Sequence, residues 1–196
     1  MSNIKIINRK TLGPSKYKLE NVTYEMQGND GKSVQKECEI YHRPSGAAIL
    51  LYDLERKKFL LTKQLRLPTY FNENETGELI EVCAGLTDEG ETVEEGALRE
   101  VKEELGYELE KVEKIASVYL SPGADPEISH LFIGRYQPEM KVSDGGGMED
   151  EAENITILEL DYAEVLQQLN QGDFRDAKTV ILLQHFFMNE SKFSIK

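Results

Sequence analysis

The chain has 196 residues, slightly long for one domain and short for two of ordinary size, and its 39% hydrophobic residues can build one sizeable core. Its formal net charge of -13 excludes nucleic acids and anionic membranes as expected partners, because an acidic surface repels both. No apolar run approaches the roughly 18 residues that a membrane helix needs, and the N-terminus lacks the apolar core of a signal peptide. Two cysteines in a chain of this size are typical of a reducing compartment, so we expect a soluble, cytoplasmic protein.

The first 45 residues have the pattern of extended segments separated by turns. Residues 21–26 alternate polar and apolar side chains, residues 28–31 (GNDG) carry a turn signal, and residues 33–41 return to an extended pattern. A strand-only segment of this length cannot bury a core by itself. We therefore expect residues 1–45 to form a small β-strand annex that packs on another surface, most simply that of a second copy.

From residue 46 the pattern changes to that of a mixed α/β domain, which we assign to residues 46–196. Residues 47–52 and 59–62 are apolar runs on either side of a charged turn, and this arrangement predicts a hairpin. Further strands are predicted at 79–83, 115–120, 128–136 and from about 155, and helices at 91–106, 162–171 and 176–188. Strands interleaved with a few helices indicate an α/β or α+β sandwich, with a mixed sheet between flanking helices.

The helix predicted at 91–106 has clear signals at both ends. Thr92 followed by Glu95 is a capping box, and Gly106 stands where a left-handed glycine commonly ends a helix. Its apolar residues fall on one stripe that can pack on a sheet: Ala97, Leu98, Val101 and Leu105.

Glu100, Glu103 and Glu104 share the adjoining face of that helix, at spacings of three and four residues. Like charges at these spacings repel by roughly 0.2–0.5 kcal/mol per pair, so helix stability alone does not favour them. A hard divalent cation reverses the balance, because Mg²⁺ and Mn²⁺ prefer carboxylate oxygens. Arg99 is close enough to hold a carboxylate in position. The alternative is an ordinary solvated acidic face.

These residues belong to a longer pattern of fixed spacing: Gly85, Glu91, Arg99, Glu100, Val101, Glu103, Glu104 and Gly106. It resembles the Nudix box, G-x5-E-x7-R-E-U-x-E-E-x-G-U, at every position but the last, where Tyr107 replaces an aliphatic residue. Eight such matches arise by chance in a chain of this length with a probability below about one in 10⁵. The resemblance implies the Nudix sandwich fold and a metal-dependent pyrophosphohydrolase.

The resemblance also implies a metal site. The carbonyl of Ala84 and the carboxylates of Glu100 and Glu104 are the expected ligands of Mg²⁺, with Mn²⁺ as an alternative ion. Glu103 is implied as a further ligand or catalytic carboxylate. Arg99 and Glu91 would position these groups, and Arg99 is therefore an expected catalytic residue.

Other segments resemble the ADP-ribose/GDP-mannose pyrophosphatase branch of this family. They are YHRPSGAAILL at 41–51, KQLR at 63–66, YLSPGADPE at 119–127 and GGGMEDE at 145–151. The last of these and RDAKT at 175–179 look most like GDP-mannose pyrophosphatases, which implies hydrolysis of GDP-mannose to GMP and mannose 1-phosphate. An ADP-ribose or broader nucleotide-sugar pyrophosphatase is the alternative. A non-catalytic nucleotide-sugar sensor is disfavoured because such proteins typically lose box glutamates that this chain keeps.

An acidic loop of about 18 residues without periodicity lies between the strands predicted to end near 136 and begin near 155, and loops of that length are commonly functional. Glycines 145–147 would give it hinge freedom, so that it could close over a site. The family pattern implies Glu151 as a metal ligand, Asp150 as a substrate contact and Glu149 as the base that activates water. Glu127, another residue at a family site position, is the rival base and a further substrate contact. A merely solvated loop is the alternative.

The remaining expected substrate contacts also come from the resemblance. Arg66 and Lys178 would neutralise the diphosphate, and Tyr17 would stack on the base. The branch forms homodimers in which a segment of the annex reaches the partner's nucleotide. Here that segment reads Glu37, Cys38, Glu39, and Cys38 replaces a family arginine, which weakens the prediction of guanine specificity because Cys offers no planar donor.

Overall fold

The computed structural model describes residues 4–147 and 154–193. The chain divides into two compact units, one of residues 1–44 with 119–128 and the other of residues 45–118 with 129–196. Within the described ranges, no helix is long and apolar enough to cross a membrane.

The first unit contains a three-stranded antiparallel sheet in the order β1-β2-β3: β1 Lys5–Gly13, β2 Leu19–Gln27 and β3 Ser33–Tyr41. The predicted turn at 28–31 joins β2 to β3, and Gly31 adopts φ 76°, which suits a residue without a side chain. β1 is exposed along its whole length. The prediction of an N-terminal β structure is therefore confirmed.

The second unit is built on a seven-stranded mixed sheet. Its strands are β4 Gly46–Asp53, β5 Lys58–Leu65, β6 Glu78–Glu81, β7 Cys83–Leu86, β8 Glu113–Tyr119, β9 Ile128–Arg135 and β10 Thr156–Asp161. The main order is β10-β5-β4-β9-β8, while β6 pairs with β5 and β7 pairs with β4. The predicted hairpin is present, with Asp53 opposite Lys58, and β4 runs parallel to β9.

Strand β4 lies at the centre of the core. It is buried at all eight positions, and alternate residues point to opposite faces of a strand. Ala48 and Leu50 face one apolar cluster, and Ala47 and Ile49 face another. The sheet is therefore covered on both faces, as expected for an α/β sandwich.

The helices that cover the sheet are α2 Val93–Glu100, α3 Tyr162–Gln171 and α4 Ala177–Met188. A π-helical segment, Val101–Leu105, continues α2 and packs with it on one face, whereas α3 and α4 contribute to the core on the other. Short segments complete the fold: α1 Leu67–Tyr70, a 3-10 turn Pro138–Met140 and α5 Glu190–Phe193. The predicted capping box is confirmed, because Thr92 Oγ1 accepts from the Glu95 amide and the Glu95 carboxylate accepts from the Thr92 amide.

The single strand predicted at 79–83 is wrong, since two short strands, β6 and β7, occupy this stretch and pair with different neighbours. The division falls at Val82. Its amide donates to Thr179 Oγ1 at 2.9 Å, so this N–H leaves the sheet and bonds the first turn of α4. An N–H taken out of the ladder in this way ends the pairing of one strand and lets the chain turn toward the next.

Candidate active site

We call α2 together with the π-helical segment Val101–Leu105 the acidic helix. Gly85 and Glu100 show how closely this helix approaches strand β7. A Cβ built on Gly85 would overlap the carboxyl group of Glu100, so the carboxylate occupies the space that any other residue would fill. The side chain of Glu100 is only 13% exposed. Glycine is therefore required at this position for the carboxylate to lie against the backbone of β7.

Glu104 reaches the same stretch of backbone from one turn further along. It is 2% exposed, and its Oε2 accepts a hydrogen bond from the amide of Ala84 at 3.2 Å. Burying a carboxylate is unfavourable unless charge or hydrogen bonds compensate it. The fold thus brings two carboxylates, Glu100 and Glu104, to the backbone of Ala84 and Gly85.

Arg99 connects the other box residues. Its Nη1 donates to Glu100 at 2.9 Å and to Glu103 at 2.8 Å, and its Nε and Nη2 donate to the two oxygens of Glu91. Nη2 also donates to the carbonyl of Leu86 at 2.9 Å. Burial tends to lower the pKa of Arg99, but Glu91 and the other carboxylates raise it above its ordinary value. We call this group, Arg99 with Glu91, Glu100 and Glu103, the Arg99 network.

The three glycines 145–147 hold the chain against the end of the acidic helix. All three have positive φ, and the amides of Gly146 and Gly147 donate to the carbonyls of Glu104 (2.8 Å) and Glu103 (3.2 Å). These bonds satisfy carbonyls that a helix end otherwise leaves unpaired. The positive φ of all three residues and the close approach of Gly145 to the backbone of Glu104 explain the need for glycine here, and the hinge freedom stays a prediction. The predicted site residues Glu149, Asp150 and Glu151 lie outside the described residues.

A second polar cluster in the same unit contains the two predicted phosphate contacts. Arg66 forms a bidentate pair with Glu81, at 2.8 Å and 3.0 Å, and Lys178 lies 2.6 Å from Asp176 and 3.8 Å from Glu81. Burial tends to lower the pKa of Arg66, but Glu81 raises it, with smaller contributions from the charges of Glu104 and Asp176. Glu81 was not among the predicted site residues, although a carboxylate inside the apolar run LIEVC is a recognisable signal.

The remaining predicted residues lie in the first unit. Tyr17 is half-buried and packs edge-on against Tyr41 with ring centroids 5.9 Å apart, and Glu127 pairs with Arg43 at 3.1 Å. Residues 37–39 stand on β3, where alternation directs Glu37 and Glu39 to one face and Cys38 to the other. Cys38 Sγ donates to the carbonyl of Gly123 at 3.8 Å. The structure therefore does not place these three side chains on one surface.

The donor set at Ala84, Glu100 and Glu104 suits a hard divalent cation, because carboxylate and carbonyl oxygens are the ligands that Mg²⁺ and Mn²⁺ prefer. The space beside Gly85 that a Cβ would fill is occupied by a carboxylate, as such a site requires. Within residues 4–147 and 154–193, no group of three or more His, Cys, Asp or Glu side chains is arranged to hold a metal. The described residues include two carboxylates and one backbone carbonyl of the predicted ligand set, and its fourth member, Glu151, lies outside them.

Comparisons with known proteins identify the family to which the chain belongs. The NUDIX domain family matches residues 42–183. The chain is 43% identical over 183 residues to a GDP-mannose pyrophosphatase of Cronobacter sakazakii, covering 93% of this chain and 94% of that protein. It is 40% identical over 186 residues to a GDP-mannose pyrophosphatase of Shigella flexneri, covering 95% and 96%.

A solved structure described as an ADP compounds hydrolase has the same fold, with a TM-score of 0.71 and coverage of 98% of this chain and 97% of that one. Its sequence identity is 21%, so the likeness concerns the fold alone. The family match and the relatives at 40% identity or more settle the membership. The chain belongs to the Nudix family and is a Nudix hydrolase.

Proposed function

We propose that this chain hydrolyses the diphosphate bond of a nucleoside diphosphate sugar with the help of Mg²⁺ or Mn²⁺. GDP-mannose is the leading substrate, which would give GMP and mannose 1-phosphate. One observation carries the proposal: Glu100 and Glu104 converge on the backbone of Ala84 and Gly85. The names of the relatives at 40–43% identity support the choice of substrate.

The cation would be held by Ala84, Glu100, Glu104 and Glu151. When bound, such a cation neutralises charge on phosphate oxygens and lowers the pKa of the attacking water. The protein's own contribution is to fix the ligands. Arg99 Nη1 donates hydrogen bonds to the carboxylates of Glu100 at 2.9 Å and Glu103 at 2.8 Å, and these bonds hold both side chains in position.

In the proposed reaction, the oxygen of a water molecule forms a bond to one phosphorus of the diphosphate. The bridging P–O bond breaks, its electron pair stays on the leaving phosphate, and a carboxylate accepts the proton of the water. We assign the role of proton acceptor to Glu149 in the acidic loop, because the rival base Glu127 forms an ion pair with Arg43. Arg66 and Lys178 would stabilise the charge on the phosphate oxygens.

Hydrolysis of ADP-ribose, or of a broad set of nucleotide sugars, is the second candidate. Cys38 favours it, because the related branch has an arginine here that can fork to a guanine base. Cys38→Arg should therefore raise the preference for guanine over adenine nucleotides. An unchanged ratio of the two rates would show that position 38 does not read the base.

We propose a homodimer in which residues 37–39 serve the partner's site. The support is the exposure of β1 and its surroundings, where Ile4, Ile6, Ile7 and Leu12 are each more than 40% exposed. Apolar side chains on an exposed strand are a common interface between subunits. Sedimentation of the intact chain should give a dimer at micromolar concentration. A fully active monomer would contradict the shared site.

We also place the enzyme in the cytoplasm. Cys38 and Cys83 form no disulfide with each other, and Cys83 is buried in the core of the second unit. Reducing compartments disfavour disulfides.

A screen of nucleoside diphosphate sugars with added Mg²⁺ tests the proposed activity, with chromatography of the products. GDP-mannose should yield GMP and mannose 1-phosphate, and excess chelator should abolish turnover. Replacing the chelated ion with Mg²⁺ or Mn²⁺ should restore it. Full activity in excess chelator, or no hydrolysis of any compound in the set, would overturn the proposal.

A further inference from the structure

Glu81, the last residue of β6, is a buried carboxylate for which the mechanism above has no use. It is 1% exposed, and such a charge is retained only when it is paired and hydrogen-bonded. Glu81 uses both oxygens for the fork of Arg66, and Lys178 lies 3.8 Å from one of them. A single buried carboxylate thus contacts both of the cations that we assign to the diphosphate.

Hydrogen bonds on both sides hold this carboxylate and its partners in place. The residue after Glu81, Val82, donates its amide to Thr179 Oγ1, and Thr179 in turn donates to Asp176 from its amide (2.9 Å) and hydroxyl (2.7 Å). Asp176 caps α4 and binds Lys178 at 2.6 Å. Strand β6 and helix α4 are therefore tied together where the two cations stand.

Exposure increases from the carboxylates to the cations. Glu81 is 1% exposed and Asp176 11%, whereas Lys178 is 16% and Arg66 39% exposed. The two carboxylates are therefore the more deeply buried groups, and the two cations are the more exposed ones. Glu81 occupies Nε and one terminal nitrogen of Arg66, and the other terminal nitrogen lies outside that pair. An arginine fixed by a fork keeps one orientation, whereas an exposed arginine samples many.

We propose that Glu81 is a positioning residue, which holds Arg66 in the orientation that binds the diphosphate of the substrate. This inference rests on the proposed function, since it takes Arg66 to be a phosphate contact. It goes further by assigning a task to a buried side chain that the proposed reaction does not itself use. The competing explanation is that Glu81 only neutralises buried charge and stabilises the fold.

A double-mutant cycle separates these explanations. The parent chain, Glu81→Gln, Arg66→Ala and the double variant are compared by kcat/KM for GDP-mannose in saturating Mg²⁺. Gln turns an amide N–H₂ toward the guanidinium, so Glu81→Gln should lower kcat/KM by about 30-fold through misplacement of Arg66. In the Arg66→Ala background the same change should cost less than about threefold, because the residue that Glu81 positions is gone.

Thermal unfolding of each variant and a matched control complete the experiment. Glu78→Gln removes the same charge from the same strand, at a side chain that is 44% exposed and paired with Lys63, and it should leave kcat/KM near the parent value. If Glu81→Gln does not fold, Glu81→Asp enters the same cycle. It keeps the charge but is one methylene shorter, so its effect should again require Arg66.

The outcomes distinguish the two proposals. Equal losses in both backgrounds would show that Glu81 acts through the fold as a whole and would overturn its positioning role. A folded Glu81→Gln variant with parent activity would do the same. If the parent chain hydrolyses neither GDP-mannose nor ADP-ribose, the proposed function fails first, and the role of Glu81 fails with it.

Discussion

The two units each contain a charged network centred on one residue, and the networks have opposite charge balance. In the first unit the carboxylate of Glu20, 3% exposed, is contacted by Arg9, Lys18 and His42. In the second unit the guanidinium of Arg99 is bonded to Glu91, Glu100 and Glu103. One network surrounds an acid with bases, and the other surrounds a base with acids.

The difference separates a structural network from one suited to a cation. Arg9 and Lys18 more than neutralise Glu20, so that group is electrostatically complete. Around Arg99, four carboxylates pair with one guanidinium, since Asp88 at 3.6 Å joins Glu91, Glu100 and Glu103, and this leaves an excess of three negative charges before Glu104 is considered. The proposed divalent cation would supply the missing charge. We therefore expect substitutions in the two networks to affect different properties, catalysis in one and stability in the other.

Glu104→Gln should have the largest effect on turnover. The glutamine keeps the size of the side chain and an oxygen that can accept from the Ala84 amide, but it removes a charge from the proposed metal site. We expect kcat to fall by about 10²-fold or more, since metal stabilisation of a transition state is worth several kcal/mol. Steady-state kinetics with thermal unfolding as a folding check would measure this.

Glu108→Gln is the matched control for that variant. Glu108 follows the same helix, but its side chain is 61% exposed and pairs with Lys102. It should retain turnover close to that of the parent chain. A folded Glu104→Gln protein with near-normal kcat would show that the acidic face is an ordinary solvated surface.

Arg99→Lys should have a smaller effect that additional metal partly reverses. A lysine keeps the charge but is a point donor, and it cannot bind three carboxylates and the Leu86 carbonyl together. Groups that orient metal ligands typically contribute about 10- to 100-fold to affinity or activity. We expect the Mg²⁺ concentration for half-maximal activity to rise by about tenfold, with recovery of kcat at high Mg²⁺.

A Mg²⁺ titration of Arg99→Lys beside Arg135→Lys measures this effect. Arg135 pairs with Glu55 at 2.9 Å and is 44% exposed, so its variant should titrate like the parent chain. A loss of kcat in Arg99→Lys that no Mg²⁺ concentration relieves would argue against a role in orienting ligands.

Local rules explain which features could be predicted from the sequence. Thr92 and Glu95 cap α2 and Gly106 ends the helical segment with φ 78°, because caps depend on residues three or four positions apart. Tyr107, the one departure from the Nudix pattern, packs edge-on against Tyr136 with centroids 5.2 Å apart. It fills the apolar position with a ring, so the departure changes only local packing.

Features that depend on distant partners could not be predicted. Strand β6 ends at Glu81 because Val82 bonds Thr179, a residue 97 positions away, and periodicity carries no information on that partner. The π-helical turns of Val101–Leu105 and the docking of residues 145–147 on the same helix end likewise arise from tertiary packing. The spacing predicted that Arg99 could hold one carboxylate in position, but not that it would hydrogen-bond to three of them at once.

Substitution of Glu20 is expected to have the smallest effect on turnover. The property that it should change is the pH dependence of the free energy of unfolding. Hydrogen bonds from Lys18, and then from Arg9, lower the pKa of Glu20 from 4.5 to about 2, although burial opposes the shift. A carboxyl with a depressed pKa in the folded state contributes stability above its unfolded value. That contribution is complete above about pH 5 and is lost as the pH falls from about 4.5 toward 2.

Glu20→Gln removes the titrating group and isolates its contribution. Unfolding by denaturant across pH 2 to 7 should show that the parent chain is more stable than the variant at pH 7, and that the difference shrinks between about pH 4.5 and 2. Hydrogen exchange at pH 7 should be faster in β1 and β2 of the variant, because Arg9 and Lys18 lose their shared partner. A constant difference across this pH range would show that the Glu20 carboxylate contributes no pH-linked stability. A loss of kcat as large as that of Glu104→Gln would contradict the assignment of a purely structural role to this network.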